Sequence, residues 1–312
     1  MSEFYHKSIL SHEIKDLAPT KGILVDVTLG GGGHSKMLFD NLSDGGLLIS
    51  FDRDEDAINY CVQNYGHKKT GSFYILEDKN TNVEYPNIEN KGENKDKTWI
   101  IAKSTFSNLK DSLDTFLEGK KVDFLLADIG VSSFQIDQKK RGFTFQQNGP
   151  LDMRMDKNQE LSAKDLVNGL SQRELEKVFR EYGEEKYSQP IAWAIVNARS
   201  KKMLKTTFDI VEIINKSVGD KYEASKNPAR RVFQALRIAV NNEFFELEEL
   251  CHNLPLIMHK SGQVVILTFH SLERNILENR FTNFSKILPN DIEMKSNPRS
   301  KSTVGYLIKN LN

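Results

Sequence analysis

The sequence predicts an α/β fold, a parallel sheet covered on both faces by helices and interrupted by an all-helical insert. Three observations predict it. Apolar, β-branched runs alternate with amphipathic stretches from Ile23 to Gly130. A run of glycines joins the first apolar run directly to a helix start, as in a nucleotide-binding βα unit. The alternation then gives way to helical patterning alone and returns near Arg230. The expected division is an α/β domain formed by residues 1–135 and 230–312, with residues 136–229 as the helical insert.

Taken in order, Ile9-Leu-Ser-His-Glu-Ile-Lys-Asp-Leu17 is a short amphipathic stretch ended by Pro19. Ile23-Leu-Val-Asp-Val-Thr-Leu29 reads as a buried strand, and Gly30 to Gly33 as a turn in which a ligand can approach the backbone and φ can turn positive. Ser35 to Leu42 opens a helix. Gly46-Leu-Leu-Ile-Ser-Phe-Asp52 is a second strand, and the acids at Asp54, Glu55 and Asp56 suit the first turn of the helix that follows. Residues 78–97 turn to Asn, Lys, Glu and Asp with almost nothing to bury, which reads as a flexible surface insertion. Trp99 to Phe106 forms a third strand and its exit, Leu109 to Leu117 a helix, and Val122 to Gly130 a fourth strand. Within the insert, capping boxes stand at Ser162-x-x-Asp165, Ser171-x-x-Glu174 and Thr206-x-x-Asp209. Arg230 to Val240 is a helix running on through Phe245 and Leu250, Val264 to Phe269 a fifth strand, and the tail after Arg299 a last one.

The bulk properties exclude several classes. Lys and Arg total 43 and so do Asp and Glu, so a polyanionic partner must be met by a local basic face rather than a global field. The two cysteines, Cys61 and Cys251, are far apart and outside any ligand-type spacing, which argues against a disulfide framework or a metal site and fits a reducing cytosol. No signal-peptide pattern and no apolar run of membrane-spanning length is present, so a cytoplasmic protein is expected.

Asp26 sits inside the first strand, four residues before Gly30, while Asp52 ends the second strand and Asp128 the fourth, toward the carboxyl edge at which α/β sheets bind ligands. Acids would repel a pyrophosphate but attract the ammonium and sulfonium of S-adenosylmethionine (SAM). The last glycine of Gly-x-Gly-x-x-Gly is missing, and no Gly-x-x-x-x-Gly-Lys-Ser/Thr pattern appears. On this reading Asp52 accepts from the ribose hydroxyls, Gly32, Gly33 and His34 line the methionine and ribose side, and Asp128 lies near the adenine or the reacting centre. Each acid is equally readable as a strand end or cap, Phe106 as core or adenine wall, and His34 as a turn residue.

The motifs resemble the RsmH (MraW) enzymes, which methylate N4 of a cytosine in bacterial 16S ribosomal RNA. The matching stretches include His6-Lys-Ser-Ile-Leu10, Asp26-Val-Thr-Leu-Gly-Gly-Gly-Gly-His-Ser35, Phe51-Asp-Arg-Asp54, Ala127-Asp-Ile-Gly-Val-Ser-Ser-Phe-Gln-Ile-Asp137 and Arg141-Gly-Phe-Thr-Phe145. They continue with Gly149-Pro-Leu-Asp-Met-Arg-Met-Asp156, Tyr182-Gly-Glu-Glu185, Phe233-Gln-Ala-Leu-Arg-Ile238, Phe269-His-Ser-Leu-Glu273 and Asn297-Pro-Arg-Ser300. The resemblance implies a Rossmann-like class I SAM-dependent methyltransferase sheet, with the helical insert recognising RNA in the decoding centre (P site) of the small ribosomal subunit. It places SAM contacts at Gly32, Gly33, His34, Asp52, Phe106, Asp128 and Gln135, the last from the resemblance alone. The chain departs from the pattern in the 78–97 insertion, at Arg274 where Asp is usual, and in a short segment between Phe281 and Asn297.

Transfer to a cytosine amine asks for an acceptor aimed at its hydrogens, and Asp128 and Asp152 are the candidates. An extruded base asks for aromatic and cationic planes, for which Arg141, Phe143, Phe145 and Arg154 are candidates. Lys139, Lys140, Arg230, Arg231, Arg299 and Lys301 are candidates for phosphate contacts. His270 and Glu273 either shape the acceptor side or cap the following helix. Other readings are a methyltransferase acting on a DNA or protein amine, and a non-catalytic ribosome assembly factor; a homodimer is left open.

Overall fold

The computed structural model describes residues 8–71, 73–77, 97–222 and 227–311. The expected surface insertion lies, apart from Lys97, outside the described residues, as do His6 and Lys7 of the first motif. The chain divides into two compact units, one of Met1–Gly130 with Phe244–Asn312, the other of Val131–Glu243.

The first unit is a nine-stranded sheet. Its strands are β1 (Ile23–Asp26), β2 (Leu47–Asp52), β3 (Lys68–Thr70), β4 (Phe73–Glu77), β5 (Thr98–Lys103), β6 (Val122–Asp128), β7 (Met258–Thr268), β8 (Phe284–Ile287) and β9 (Val304–Lys309). They lie in the order β3-β4-β5-β2-β1-β6-β7-β9-β8. The central strands β5, β2, β1, β6 and β7 are parallel, and both edges are antiparallel. The expected strands are present. The β3–β4 hairpin and β8 were not anticipated, because short edge strands such as Lys68-Lys-Thr70 lack an apolar run.

The period-2 alternation of the central strands sorts their side chains into two buried clusters. Val25, Ile49, Ile100, Leu125, Val264 and Ile266 belong to one, and Leu24, Leu48, Ile101, Phe124, Leu126 and Val265 to the other. The helices α1 (Ser11–Leu17), α2 (Gly33–Asn41) and α3 (Glu55–Tyr65) contribute Ile14, Leu38, Phe39 and Ile58 to the second cluster. The helix α4 (Leu109–Leu117) gives Leu109, Leu113 and Phe116 to the first. Each of these buried aliphatic side chains contributes about 1.5–3 kcal/mol relative to exposure.

The second unit contains α5 (Ser133–Asp137), α6 (Ala163–Gly169), α7 (Gln172–Gly183), α8 (Ser188–Arg199), α9 (Thr207–Val218) and α10 (Ala229–Asn241). Its core holds Leu175 and Phe179 of α7, Ile191 and Ile195 of α8, Ile210 and Ile214 of α9, and Val232, Phe233 and Leu236 of α10. All three expected capping boxes form, at Ser162/Asp165, Ser171/Glu174 and Thr206/Asp209.

Both boundaries are corrected: Val131 to Gln135, expected in the α/β domain, fall in the second unit, and so does the stretch from 230 to 243. The sequence assigned residues from 230 onward to the α/β domain, with a single helix running through Leu250. The structure ends α10 at Asn242, whose φ of 52° is left-handed, and starts a separate α11 (Glu243–Ile257). The apolar face of α10 is spent on the helical core, so α10 belongs to the second unit. Leu247, Leu250 and Leu254 of α11 return to the sheet, followed by α12 (Ser271–Arg280) and α13 (Asp291–Ser296).

Thr206→Ala removes the side-chain acceptor for the Asp209 N–H and is expected to cost about 1 kcal/mol. Thr206→Ser should restore it, and urea midpoints of the three proteins provide the check.

Candidate active site

From β1 the chain passes to β2 and β5 on one side and then crosses to β6 on the other. The order reverses between β1 and β6, and at such a switch point α/β sheets bind ligands in a crevice outside the carboxyl ends of the strands. Asp26, Asp52 and Asp128 are the last residues of β1, β2 and β6, so topology alone gathers them there.

The glycine turn packs against this rim. Gly32 caps α2 with a φ of 79°, and a Cβ there would come within 2.6 Å of the Tyr65 ring and 2.9 Å of Cys61 Sγ. A Cβ on Gly33 would collide with the Ser8 hydroxyl. Glycine is therefore required at Gly32 by the protein's own packing and backbone before any ligand is considered, whereas at Gly33 the Ser8 side chain alone would have to move. Asp52 ties the turn down: one carboxylate oxygen accepts the Gly30 N–H at 2.8 Å, the other the Asp54 N–H at 2.9 Å.

Asp26 is fully buried and accepts from Ser35 Oγ at 2.6 Å and from the Thr28 N–H at 3.0 Å. His34, also buried, donates Nε2–H to the Ile9 carbonyl at 2.8 Å. Its Nδ1 then faces Asp128 Oδ2 at 3.5 Å, an electrostatic contact longer than a good hydrogen bond. His34 is thus more than a turn residue, since it joins the N-terminal segment to the rim. Phe106 is partly buried against one sheet core.

Burial pushes all three carboxyls up. Desolvation dominates at Asp52 and, opposed by the Asp54 and Gly30 amides, leaves it at about 6. Desolvation also brings Asp128 to about 6, with His34 opposing and Asp26 and Glu273 reinforcing. Asp26 is raised by desolvation as well, against the hydrogen bonds of Ser35 and Thr28. Among the described residues none of the three pairs with a lysine or arginine. A cluster of desolvated carboxylates without a resident cation is chemically suited to a cationic ligand.

Other candidates are engaged elsewhere. Glu273 takes the Phe269 and His270 amides at 2.6 and 3.1 Å and forms a capping box with His270, so the capping alternative holds for this pair. Within the second unit, Gln135 is buried and closes the Ser132 capping box of α5, accepting the Ser132 N–H at 3.1 Å. Arg154 grips Asp152 with two bonds, Nε–Oδ1 at 2.8 Å and Nη2–Oδ2 at 2.9 Å. Burial raises Asp152, but these bonds outweigh it and hold the carboxyl below its ordinary value, which makes it a poor proton acceptor.

Arg141 is buried, and its guanidinium donates to the Arg154 and Met155 carbonyls at 2.9 and 3.0 Å, so it organises its loop rather than presenting a free plane. Phe143 packs on the helical core and Phe145 stacks edge-on against Phe233 with ring centroids 5.7 Å apart. Arg230 and Arg231 are exposed at the start of α10, and Arg299 is half-buried in the turn before β9. The sequence reading missed Thr28 and Ser35, the immediate partners of Asp26; a hydroxyl two residues beyond a strand-end Asp was the available signal.

The model of the MraW methylase family matches residues 3–309. The chain belongs to this family. It is 35% identical over 329 residues to the ribosomal RNA small subunit methyltransferase H of Clostridioides difficile (strain 630), covering 96% of this chain and 97% of that one. The protein of the same name from Clostridium botulinum (strain Kyoto / Type A2) is 38% identical over 286 residues, with 91% and 83% covered. That of Legionella pneumophila (strain Paris) is 36% identical over 326 residues, with 96% of each covered. As a methylase, the chain has in the β1–β6 crevice a rim whose charge suits a positively charged methyl donor. No described helix is long and apolar enough to cross a membrane.

Asp128 also makes a stability prediction. Its folded-state value of about 6 lies above the ordinary 3.8, so its ionisation opposes folding, increasingly from pH 3.8 to 6 and then at a constant level. Asp128→Asn is expected to melt higher than the ligand-free parent at pH 7.5 and to lose that advantage at pH 4, which thermal unfolding at the two pH values measures.

Proposed function

We propose that this protein transfers a methyl group from SAM to the exocyclic N4 amine of a specific cytosine in the P-site region of 16S rRNA, within the small ribosomal subunit and in the cytoplasm. The observation that carries the donor assignment is the set of three carboxylates at the ends of β1, β2 and β6, Asp26 fully buried and Asp52 and Asp128 half-buried, without a lysine or arginine partner among the described residues. The names of the relatives support small-subunit ribosomal RNA as the acceptor, and the cytosine N4 amine rests on the family resemblance.

The residues present fit the donor. Asp52 offers its carboxylate to the ribose hydroxyls, and each of its oxygens keeps acceptor capacity beyond the one amide it already binds. Gly32 and Gly33 keep the turn free of side chains beside the methionine portion, and Phe106 is assigned to the same donor by family resemblance. SAM supplies an electrophilic methyl group on a sulfonium centre. Cytosine N4 is a weak nucleophile because its lone pair is delocalised into the ring. Asp128, at about 6 and with 29% of its side chain exposed, is the group assigned to accept from the N4–H and to take the proton as the new bond forms. His34 holds that carboxylate from the far side. Asp152, already claimed by Arg154, is left a structural role. Exposed Arg230 and Arg231 are assigned to the RNA backbone, together with Arg299.

Asp52→Ala and Asp128→Ala should each weaken SAM binding about tenfold or more in calorimetry while leaving the fold intact by circular dichroism. For the parent protein, SAM affinity should fall as pH drops through about 6, because the ionised rim binds the cation and the protonated rim does not. Tritiated-methyl transfer should label small-subunit particles or 16S rRNA at a cytosine amine and spare duplex DNA. Failure of the parent protein to bind SAM, or labelling of DNA or protein instead, would overturn the reading.

A further inference from the structure

Thr28 lies two residues beyond the end of β1, and its hydroxyl joins two of the rim acids. Oγ1 accepts the Asp128 backbone N–H at 2.7 Å and donates to Asp26 Oδ1 at 3.2 Å. An amide N–H can only donate, so the one hydroxyl hydrogen is free to go to Asp26. The other oxygen of Asp26 terminates a second chain that begins on β5. Trp99 Nε1–H donates to Ser50 Oγ at 2.9 Å, Ser50 and Ser35 hydroxyls are 2.8 Å apart, and Ser35 donates to Asp26 Oδ2 at 2.6 Å. Because Ser35 has a single hydroxyl hydrogen and gives it to Asp26, the hydrogen shared between the two serines is the one on Ser50. Every link points at Asp26, an orientation in which the buried carboxyl serves purely as an acceptor and is satisfied as an anion.

We propose that Thr28 is a positioning residue for methyl transfer: its hydroxyl fixes the Asp128 end of β6 to β1 and gives Asp26 a hydrogen bond that favours its anion, so that the donor's positive centre meets a preorganised negative field. This rests on the assignment of the crevice to SAM. The groups that face Asp128 are His34 from α2, Asp26 from β1 and Glu273 from α12, and only Asp26 is linked to it through Thr28. Preorganised charge of this kind acts without reorganisation at the moment of reaction.

Thr28→Val keeps the shape and deletes the hydroxyl, and Thr28→Ser returns it. The valine variant should bind SAM about three- to tenfold more weakly at pH 7.5, and the pH below which binding is lost should move upward, because Asp26 has lost a donor to its anion. The serine variant should restore both affinity and pH profile. A purely structural threonine would lower the melting temperature without moving the pH profile of binding. If Thr28→Val, however much its melting temperature falls, binds SAM with the parent's affinity and pH profile, or if serine fails to rescue, the inference is wrong while the SAM assignment stands. If the parent protein itself binds no SAM at any pH, the assignment fails and the inference with it.

Discussion

The structure of the first unit depends on stabilising negative charge where water is largely excluded. A buried carboxylate is expensive, and the usual remedy is an arginine or lysine beside it. Here the remedy is made of neutral donors: the amides of Gly30 and Asp54 for Asp52, the hydroxyls of Ser35 and Thr28 for Asp26. These donors hold the acids in place without cancelling their charge. The rim therefore keeps a field that a resident cation would have abolished, and desolvation pushes Asp52 and Asp128 up to about 6 and raises Asp26 as well.

The same contacts explain why the local sequence is so demanding. Asp52 is at once a strand end, a tether for the glycine turn and an acceptor for the Asp54 amide. His34 bridges the Ile9 carbonyl and the Asp128 carboxylate from the first turn of α2. Gly32 is closely approached by the Tyr65 ring and the Cys61 sulfur, so its lack of a side chain already serves packing.

The helical unit follows another logic. Its charged motif residues are largely consumed internally: Arg154 by Asp152 and two loop carbonyls, Arg141 by the backbone of Arg154 and Met155, and Arg237 by Glu243. The Gly-Pro-Leu-Asp-Met-Arg-Met-Asp segment is thus a self-supporting loop built on bidentate ion pairing and carbonyl capture. Its residue types resemble those of an RNA-reading surface, but their hydrogen-bonding capacity is directed inward.

The sequence by itself determined the sheet's central strands, the glycine turn, the rim acids and the three capping boxes. These are local signals: period-2 apolar runs, strand-end acids, and Ser or Thr three residues before an acid. Only the tertiary structure decided how side chains with several open roles were used. It took Arg141 and Asp152 out of the set of free functional groups, moved α10 into the helical core, and separated α10 from α11 at Asn242. It also revealed Thr28 and Ser35 as the partners of a buried acid. The physical reason is that period and spacing report which face a residue occupies, whereas a donor's partner is chosen by atoms distant in the chain, as Trp99 and Asp26 are from one another.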